Sequence, residues 1–114
     1  MEALRIVASL ITLGFGLFSI YSPEMLAKST SITLNGARGR TELRVGFGGF
    51  FTAMGAAALL MNDPAVYQLL GYGWLGGMIV RVFSVFIDGA KMIDTTYIVF
   101  GVMELGVALM LILE

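Results

Sequence analysis

Two ionisable residues lie inside long apolar stretches of this sequence, and their chemistry needs an explanation. Arg81 lies within Gly71–Asp88, which is apolar enough to cross a membrane, and Glu104 lies within the last apolar stretch. A charge inside a bilayer is expensive and is usually paired, so these residues are candidates to neutralise each other. Such a pair could bind a polar group, couple to proton or cation movement, or only fix the register of the helices.

The positions of the two residues along their stretches support a pair. Arg81 precedes Ile87, the end of the third apolar stretch, by about 9 Å of helix. Glu104 follows Thr96, the start of the fourth stretch, by about 12 Å of helix. Because consecutive spans meet at the loop between them, we expect Arg81 and Glu104 to lie at similar depth and to pair across neighbouring helices.

Four further residues complete the predicted polar interior: Glu42, Arg44, Ser84 and Asp88. Ser84 follows Arg81 at helical spacing, and the two carboxylates lie near the ends of their apolar stretches. There they would form an acidic layer over the Arg81–Glu104 pair. Helix ends also lie at the membrane interface, where Glu42 and Arg44 would be ordinary interfacial charges. Asp88, which Gly89 follows, also fits a helix terminus and turn.

Composition excludes several kinds of chemistry. The 114 residues include no Cys and no His, which excludes disulfides, Cys or His metal sites and histidine-based catalysis. The net charge of −1 argues against nucleic-acid binding, which needs a basic surface. The arginine would oppose a divalent cation at the carboxylates, so we expect no metal, and nothing in the sequence predicts a cofactor. We also expect no enzymatic activity, because a lipid-acting enzyme here would depend on carboxylates and tyrosines alone.

Four apolar stretches supply the elements that would position these residues. Each is close to the roughly 20 residues that a helix needs to cross a bilayer, and backbone in lipid must satisfy its own hydrogen bonds. Hydrophobic residues make up 58% of the chain and charged residues 13%, too few to cover a soluble domain. We therefore predict a single all-α membrane domain, 1–114, with transmembrane helices over about 4–21, 43–61, 67–87 and 96–113.

The connections between the stretches are short, which favours a four-helix bundle with up-down-up-down topology. Ser22-Pro23-Glu24 has the residue types of a helix start and predicts a short interfacial helix over 23–28. We expect a loop over 29–40, a tight turn at Asn62-Asp63-Pro64 and a last loop over 88–95. The first stretch lacks the basic start and cleavage site of a secretory signal, so we expect a retained helix.

Small residues share helix faces with the charged residues. In the third stretch Gly73 and Gly77 recur with Arg81 at helical spacing, and such small-xxx-small pairs allow another helix to approach closely. In the fourth stretch Tyr97, Gly101 and Glu104 share a face in the same way. The aromatic residues Tyr67, Tyr72, Trp74 and Tyr97 are interpreted as interfacial anchors.

Lysine and arginine are unevenly distributed between the predicted loops. The first and third loops contain Lys28, Arg38, Arg40 and Lys91, whereas the second contains neither residue type. Cytoplasmic loops are enriched in these residues. We therefore expect a multi-pass protein of the inner (plasma) membrane, with the first and third loops in the cytoplasm and both termini outside it.

Three short motifs resemble those of a known family. The second span opens with Glu42-Leu43-Arg44-Val45-Gly46-Phe47-Gly48-Gly49, the third ends with Arg81-Val82-Phe83-Ser84-Val85-Phe86-Ile87-Asp88-Gly89, and the fourth contains the lone acid Glu104. Together they resemble a bacterial family of small four-helix integral membrane proteins of unknown function, loosely similar to the DoxX-like proteins. That family has Gly before the arginine, where this chain has Val80. The resemblance implies the fold and nothing about activity.

The sequence leaves two functions open. The first is a small membrane accessory or binding protein that associates with a larger membrane complex, with copies of itself, or with a hydrophobic small molecule or lipid. The second is a small proton- or cation-coupled transporter that uses Glu104 and Arg81. Its similarity to small multidrug exporters fails at the first helix, which has no acid beyond Glu2 to match their essential glutamate. In both cases the lipid bilayer itself is an expected partner.

Overall fold

The chain is helical apart from short connections throughout the part that the structure describes. The computed structural model describes residues 2–113. Its helices are α1 (Glu2–Tyr21), α2 (Pro23–Ser29), α3 (Gly36–Leu43), α4 (Phe50–Met61), α5 (Pro64–Asp88) and α6 (Thr95–Ile112). A π-helical segment, Arg44–Gly49, joins α3 to α4, and a short 3₁₀ turn, Ala90–Met92, precedes α6.

Four helical stretches are long and apolar enough to cross a membrane: Ala3–Tyr21, Gly36–Met61, Pro64–Asp88 and Thr95–Ile112. Their lengths are 19, 26, 25 and 18 residues, close to the roughly 20 that a bilayer core requires. Large apolar side chains such as Leu60, Phe86 and Ile87 are more than 80% exposed on these helices, which is the kind of surface that suits contact with lipid. The prediction of an all-helical chain with four such helices is confirmed.

The second span differs most from its predicted bounds, because helix begins at Gly36 instead of near residue 43. The predicted loop over 29–40 is therefore wrong from Gly36 onward. Arg38 Nε and Glu42 Oε2 lie 2.6 Å apart one helical turn from each other, and such i,i+4 pairs stabilise helices. Hydropathy follows only the apolar part of a helix, so it missed this polar first section.

Local turn chemistry explains the start of the third span, which is also earlier than predicted. The Asp63 carboxylate accepts a hydrogen bond from the Ala65 amide at 2.8 Å, and Pro64 occupies the first helical position. Asn62 has a left-handed backbone, with φ of 46°, and ends α4. The predicted tight turn is confirmed, and so is the short helix after Ser22, which extends to Ser29.

The chain divides into two compact units, one of residues 9–62 and the other of residues 1–8 with 63–114. In the first of these, glycines let α1 closely approach α4 and the π-helical segment before it. A Cβ at Gly55 would lie 2.6 Å from the Leu13 amide nitrogen, and one at Gly48 would lie 2.5 Å from Ile20 Cγ1. Leu26 of α2 is buried in a small core beside this helix pair. Small residues at helix contacts are typical of membrane helices.

The other unit is built on α5 and α6, which pack against each other in opposite directions. Near the start of α5, a Cβ at Gly71 would lie 2.9 Å from Leu111 Cβ, close to the end of α6. Near the end of α5, Arg81 Cδ lies beside Gly101 of α6. Gly73, which was predicted to make a close helix contact, has open space at its Cβ position, so that prediction is wrong. Helical spacing defines the face, but the line of contact between the helices decides which glycine is covered.

Candidate polar site and groove

Arg81 and Glu104 form the predicted ion pair between α5 and α6. Arg81 Nε donates a hydrogen bond to Glu104 Oε1 at 2.7 Å, and Nη2 donates to Oε2 at 3.0 Å. This bidentate arrangement engages both carboxylate oxygens and is among the strongest that the two side chains can adopt. The side chains are only 25% and 14% exposed. The structure thus contains a largely buried salt bridge between two helices apolar enough to cross a membrane.

Glycines on both helices make room for this pair. A Cβ at Gly101 would lie 3.3 Å from Arg81 Cδ, and a Cβ at Gly77 would lie 3.5 Å from Glu104 Oε2. Each glycine lies about one turn before the charged residue of its own helix and faces the charged residue of the other helix. The sequence placed both glycines on the charged faces, and the structure confirms that role.

Two aromatic rings of α6 lie beside the guanidinium. Arg81 Cζ lies 4.8 Å from the Tyr97 ring centroid and 5.8 Å from the Phe100 centroid, within the range of cation–π attraction. The Tyr97 hydroxyl donates a hydrogen bond to the Arg81 carbonyl oxygen at 2.5 Å. Tyr97 is therefore part of this site and not only an interfacial anchor. Its helical spacing with Gly101 and Glu104 was the signal in the sequence, whereas nothing there indicated Phe100.

An open groove of about 380 Å³ lies between α5 and α6, with Arg81 in its wall. The rest of the wall is almost entirely apolar and includes Met78, Val82, Phe86, Ile98, Val102 and Leu105. Its volume is near the lower end of the range for ligand-binding pockets. The groove depends on how far two helices stand apart, so no sequence pattern indicated it.

The other predicted polar residues of this unit make different contacts. Ser84 Oγ donates to the Val80 carbonyl oxygen of its own helix at 2.7 Å, so its hydroxyl is engaged within α5. Asp88 is the last residue of α5 and is exposed. The acidic layer over the Arg81–Glu104 pair stays a prediction.

Glu42 and Arg44 belong to the unit of residues 9–62, and both are exposed. Glu42 pairs with Arg38, as a charge at a polar helix end would. Arg44 Nε donates to the Ile20 carbonyl oxygen at 3.0 Å. That carbonyl lies in the last turn of α1, where backbone acceptors lack partners within the helix, so Arg44 caps the end of α1.

A second buried arginine, Arg5, was not among the residues that the sequence singled out. Arg5 is 7% exposed, and its Nε donates to the Leu111 carbonyl oxygen at 3.2 Å in the last turn of α6. A positive charge is favourable at a helix C-terminus. Its Cζ also lies 5.7 Å from the ring of Tyr67. Tyr67 and Trp74 are 2% and 7% exposed, so their interpretation as interfacial anchors is wrong.

Comparison with known proteins found no matching family model, curated protein or solved structure. The resemblance to the bacterial four-helix family therefore rests on its short motifs and stays a prediction. The function has to be inferred from the geometry of the pair and the groove.

Proposed function

We propose that this chain is a small multi-pass membrane protein that binds a hydrophobic ligand or lipid in the groove between α5 and α6. One observation carries the proposal: Arg81, held by Glu104, lies in the wall of an otherwise apolar groove. Binding sites for small molecules combine a mainly apolar wall with a few placed polar groups that orient the ligand. The groove has both, and the exposed apolar residues around it leave it accessible from the hydrocarbon of a bilayer.

The bidentate pair favours binding over transport. A carrier that uses Glu104 must free its carboxylate in each cycle, yet both oxygens accept hydrogen bonds from Arg81, at 2.7 and 3.0 Å. Separating a buried pair leaves two uncompensated charges, which is strongly unfavourable. A proton- or cation-coupled transporter that uses Glu104 and Arg81 is the second candidate, and the presence of an acid within a span supports it.

The proposed setting follows from the charge distribution and the family resemblance. We infer an up-down-up-down bundle in the inner membrane, with the connections that contain Lys28 and Lys91 in the cytoplasm and both termini outside it. Nearly all of the chain is apolar helix, which leaves little mass for chemistry in water. An accessory subunit that presents a bound ligand to a larger membrane complex, or to further copies of the chain, fits these features.

Filling the groove should remove the bound molecule. Val102 lines the groove, whereas Val99 is exposed on the same helix and lies outside the groove wall. After mild solubilisation and purification, we expect wild type and Val99→Trp to carry the same hydrophobic molecule, measured by mass spectrometry of an organic extract. Val102→Trp should lose most of it.

Two results would redirect the proposal. Equal extracts from all three proteins would mean that the groove holds nothing. A pH-dependent flux into reconstituted vesicles that Glu104→Gln abolishes, while the variant still folds, would favour the transporter. The same purification tests the accessory role, since recovery of the chain only in free form would count against a larger complex.

A further inference from the structure

The hydrogen-bond donors of Arg81 that Glu104 does not engage indicate which ligand fits the groove. A guanidinium carries five N–H groups in a fixed planar arrangement. Within residues 2–113 only Nε and one Nη2 hydrogen meet an acceptor, and both bonds go to Glu104. Tyr97 and Phe100 offer ring faces to the guanidinium, and the Tyr97 hydroxyl donates to the Arg81 backbone carbonyl without accepting a hydrogen bond from the guanidinium. The remaining N–H groups are therefore available to an acceptor from outside residues 2–113.

The groove is the route by which such an acceptor can arrive. Arg81 is part of its wall and keeps a quarter of its side chain exposed there, beside the apolar residues Val82 and Val102. An N–H group without an acceptor is costly in hydrocarbon, where water is scarce. A ligand that supplies an oxygen at this point would remove that cost and bury its apolar part along the groove.

The charge of the pair restricts the ligand further. Arg81 and Glu104 together are neutral, since each compensates the other through two hydrogen bonds. An anionic ligand would place an uncompensated negative charge beside Glu104. A cationic ligand would be repelled by Arg81, which lies in the groove wall. Uncompensated charge in a low-dielectric environment is strongly disfavoured. An uncharged hydrogen-bond acceptor avoids both penalties.

We propose that the groove binds an uncharged amphiphile whose carbonyl oxygen accepts a hydrogen bond from the Arg81 guanidinium. This inference rests on the proposed function and adds the class of the ligand. Arg81 lies about 10 Å of helix from Asp88, the end of α5, so the carbonyl sits within the hydrocarbon region. The apolar body of the ligand lies along the apolar wall of the groove, which includes Val82, Phe86 and Ile98.

Three photoreactive probes with one alkyl chain and one diazirine group test this class. One probe ends in a methyl ketone, one in a plain hydrocarbon and one in a carboxylate. Each is added to the protein in vesicles of ether-linked phosphatidylcholine. This lipid lacks ester carbonyls that would compete with the ketone. Mass spectrometry measures labelling of the α5 and α6 peptides. In wild type the ketone should label about tenfold more than the hydrocarbon, the effect expected of one hydrogen bond to a charged group. The ketone should also exceed the carboxylate.

Two variants sharpen the test. Glu104→Gln keeps the shape of the side chain but leaves the site with a positive charge, so the carboxylate probe should become the preferred one. Arg81→Met/Glu104→Met keeps the groove without its donors, so the ketone and the hydrocarbon should label equally. If Glu104→Gln fails to fold, the comparison of the double variant with wild type still decides the question.

The outcomes separate this inference from the proposed function. Equal labelling of the wild-type groove by ketone and hydrocarbon would overturn the carbonyl assignment and leave groove binding intact. A ketone preference that persists in the double variant would overturn it as well. The proposed function itself would be contradicted by two results together. No probe would label the groove, and Val102→Trp would carry as much of the extracted hydrophobic molecule as wild type.

Discussion

Replacing Glu104 by methionine should destabilise the protein by about 3–5 kcal/mol, the usual cost of leaving one member of a buried ion pair alone. Arg81 would keep its charge within a long apolar helix, with the Tyr97 and Phe100 rings beside it and no carboxylate partner. Arg81→Met should have a comparable effect, because it leaves the Glu104 carboxylate without donors. Unfolding by sodium dodecyl sulfate in mixed micelles, followed by circular dichroism, measures both changes.

The double variant Arg81→Met/Glu104→Met should recover most of that loss. Methionine is apolar, flexible and long enough to fill either position, and apolar replacement of a buried pair is often neutral or stabilising. The exposed pair Arg38–Glu42, with side chains 85% and 60% exposed, provides a matched control. Its double methionine variant should change stability by less than about 1 kcal/mol. Single variants at Arg81 and Glu104 that unfold like wild type would show that the pair is not buried in the membrane.

A leucine at Gly55 should destabilise the unit of residues 9–62 by about 1–3 kcal/mol or more. That is the usual cost of inserting extra atoms into a packed core. A Cβ there would lie 2.6 Å from the Leu13 amide nitrogen and 2.8 Å from Leu13 Cα. These are backbone atoms, so they cannot move aside unless α1 and α4 separate. The same unfolding measurement detects the loss.

Gly14→Leu is the control for that substitution. Gly14 lies on α1 in the same unit, and its Cβ position has open space. Both variants exchange glycine for the same helix-favouring side chain, so the difference between them isolates the helix contact. Equal stabilities of the two variants would mean that α1 and α4 are not in close contact at Gly55.

Much of the polar site could be predicted because helix geometry is regular. The 1.5 Å rise per residue placed Arg81 and Glu104 at similar depth, and helical spacing put Gly77 and Gly101 on the same faces. The four apolar helices were predicted from hydropathy, because a helix that crosses a bilayer needs a long run of apolar residues. The turn at Asn62 followed from residues with strong local preferences.

The rest depends on contacts that no local pattern encodes. Arg5 donates to Leu111, 106 residues away in the sequence, and only the packing of the chain brings these residues together. Gly71 is covered and Gly73 is not, because of the line along which α5 and α6 touch. The groove beside Arg81 likewise arises from the separation of two helices.

Ligand binding by the Arg81→Met/Glu104→Met variant decides whether the pair serves the groove or only fixes the register of α5 and α6. The measurement is labelling of the groove by the methyl-ketone photoprobe, made on wild type and on a double variant shown to fold. If Arg81 donates to the ligand, the variant folds normally and is labelled about tenfold more weakly than wild type. Labelling at the wild-type level would contradict donation by Arg81 and leave the pair a purely structural role.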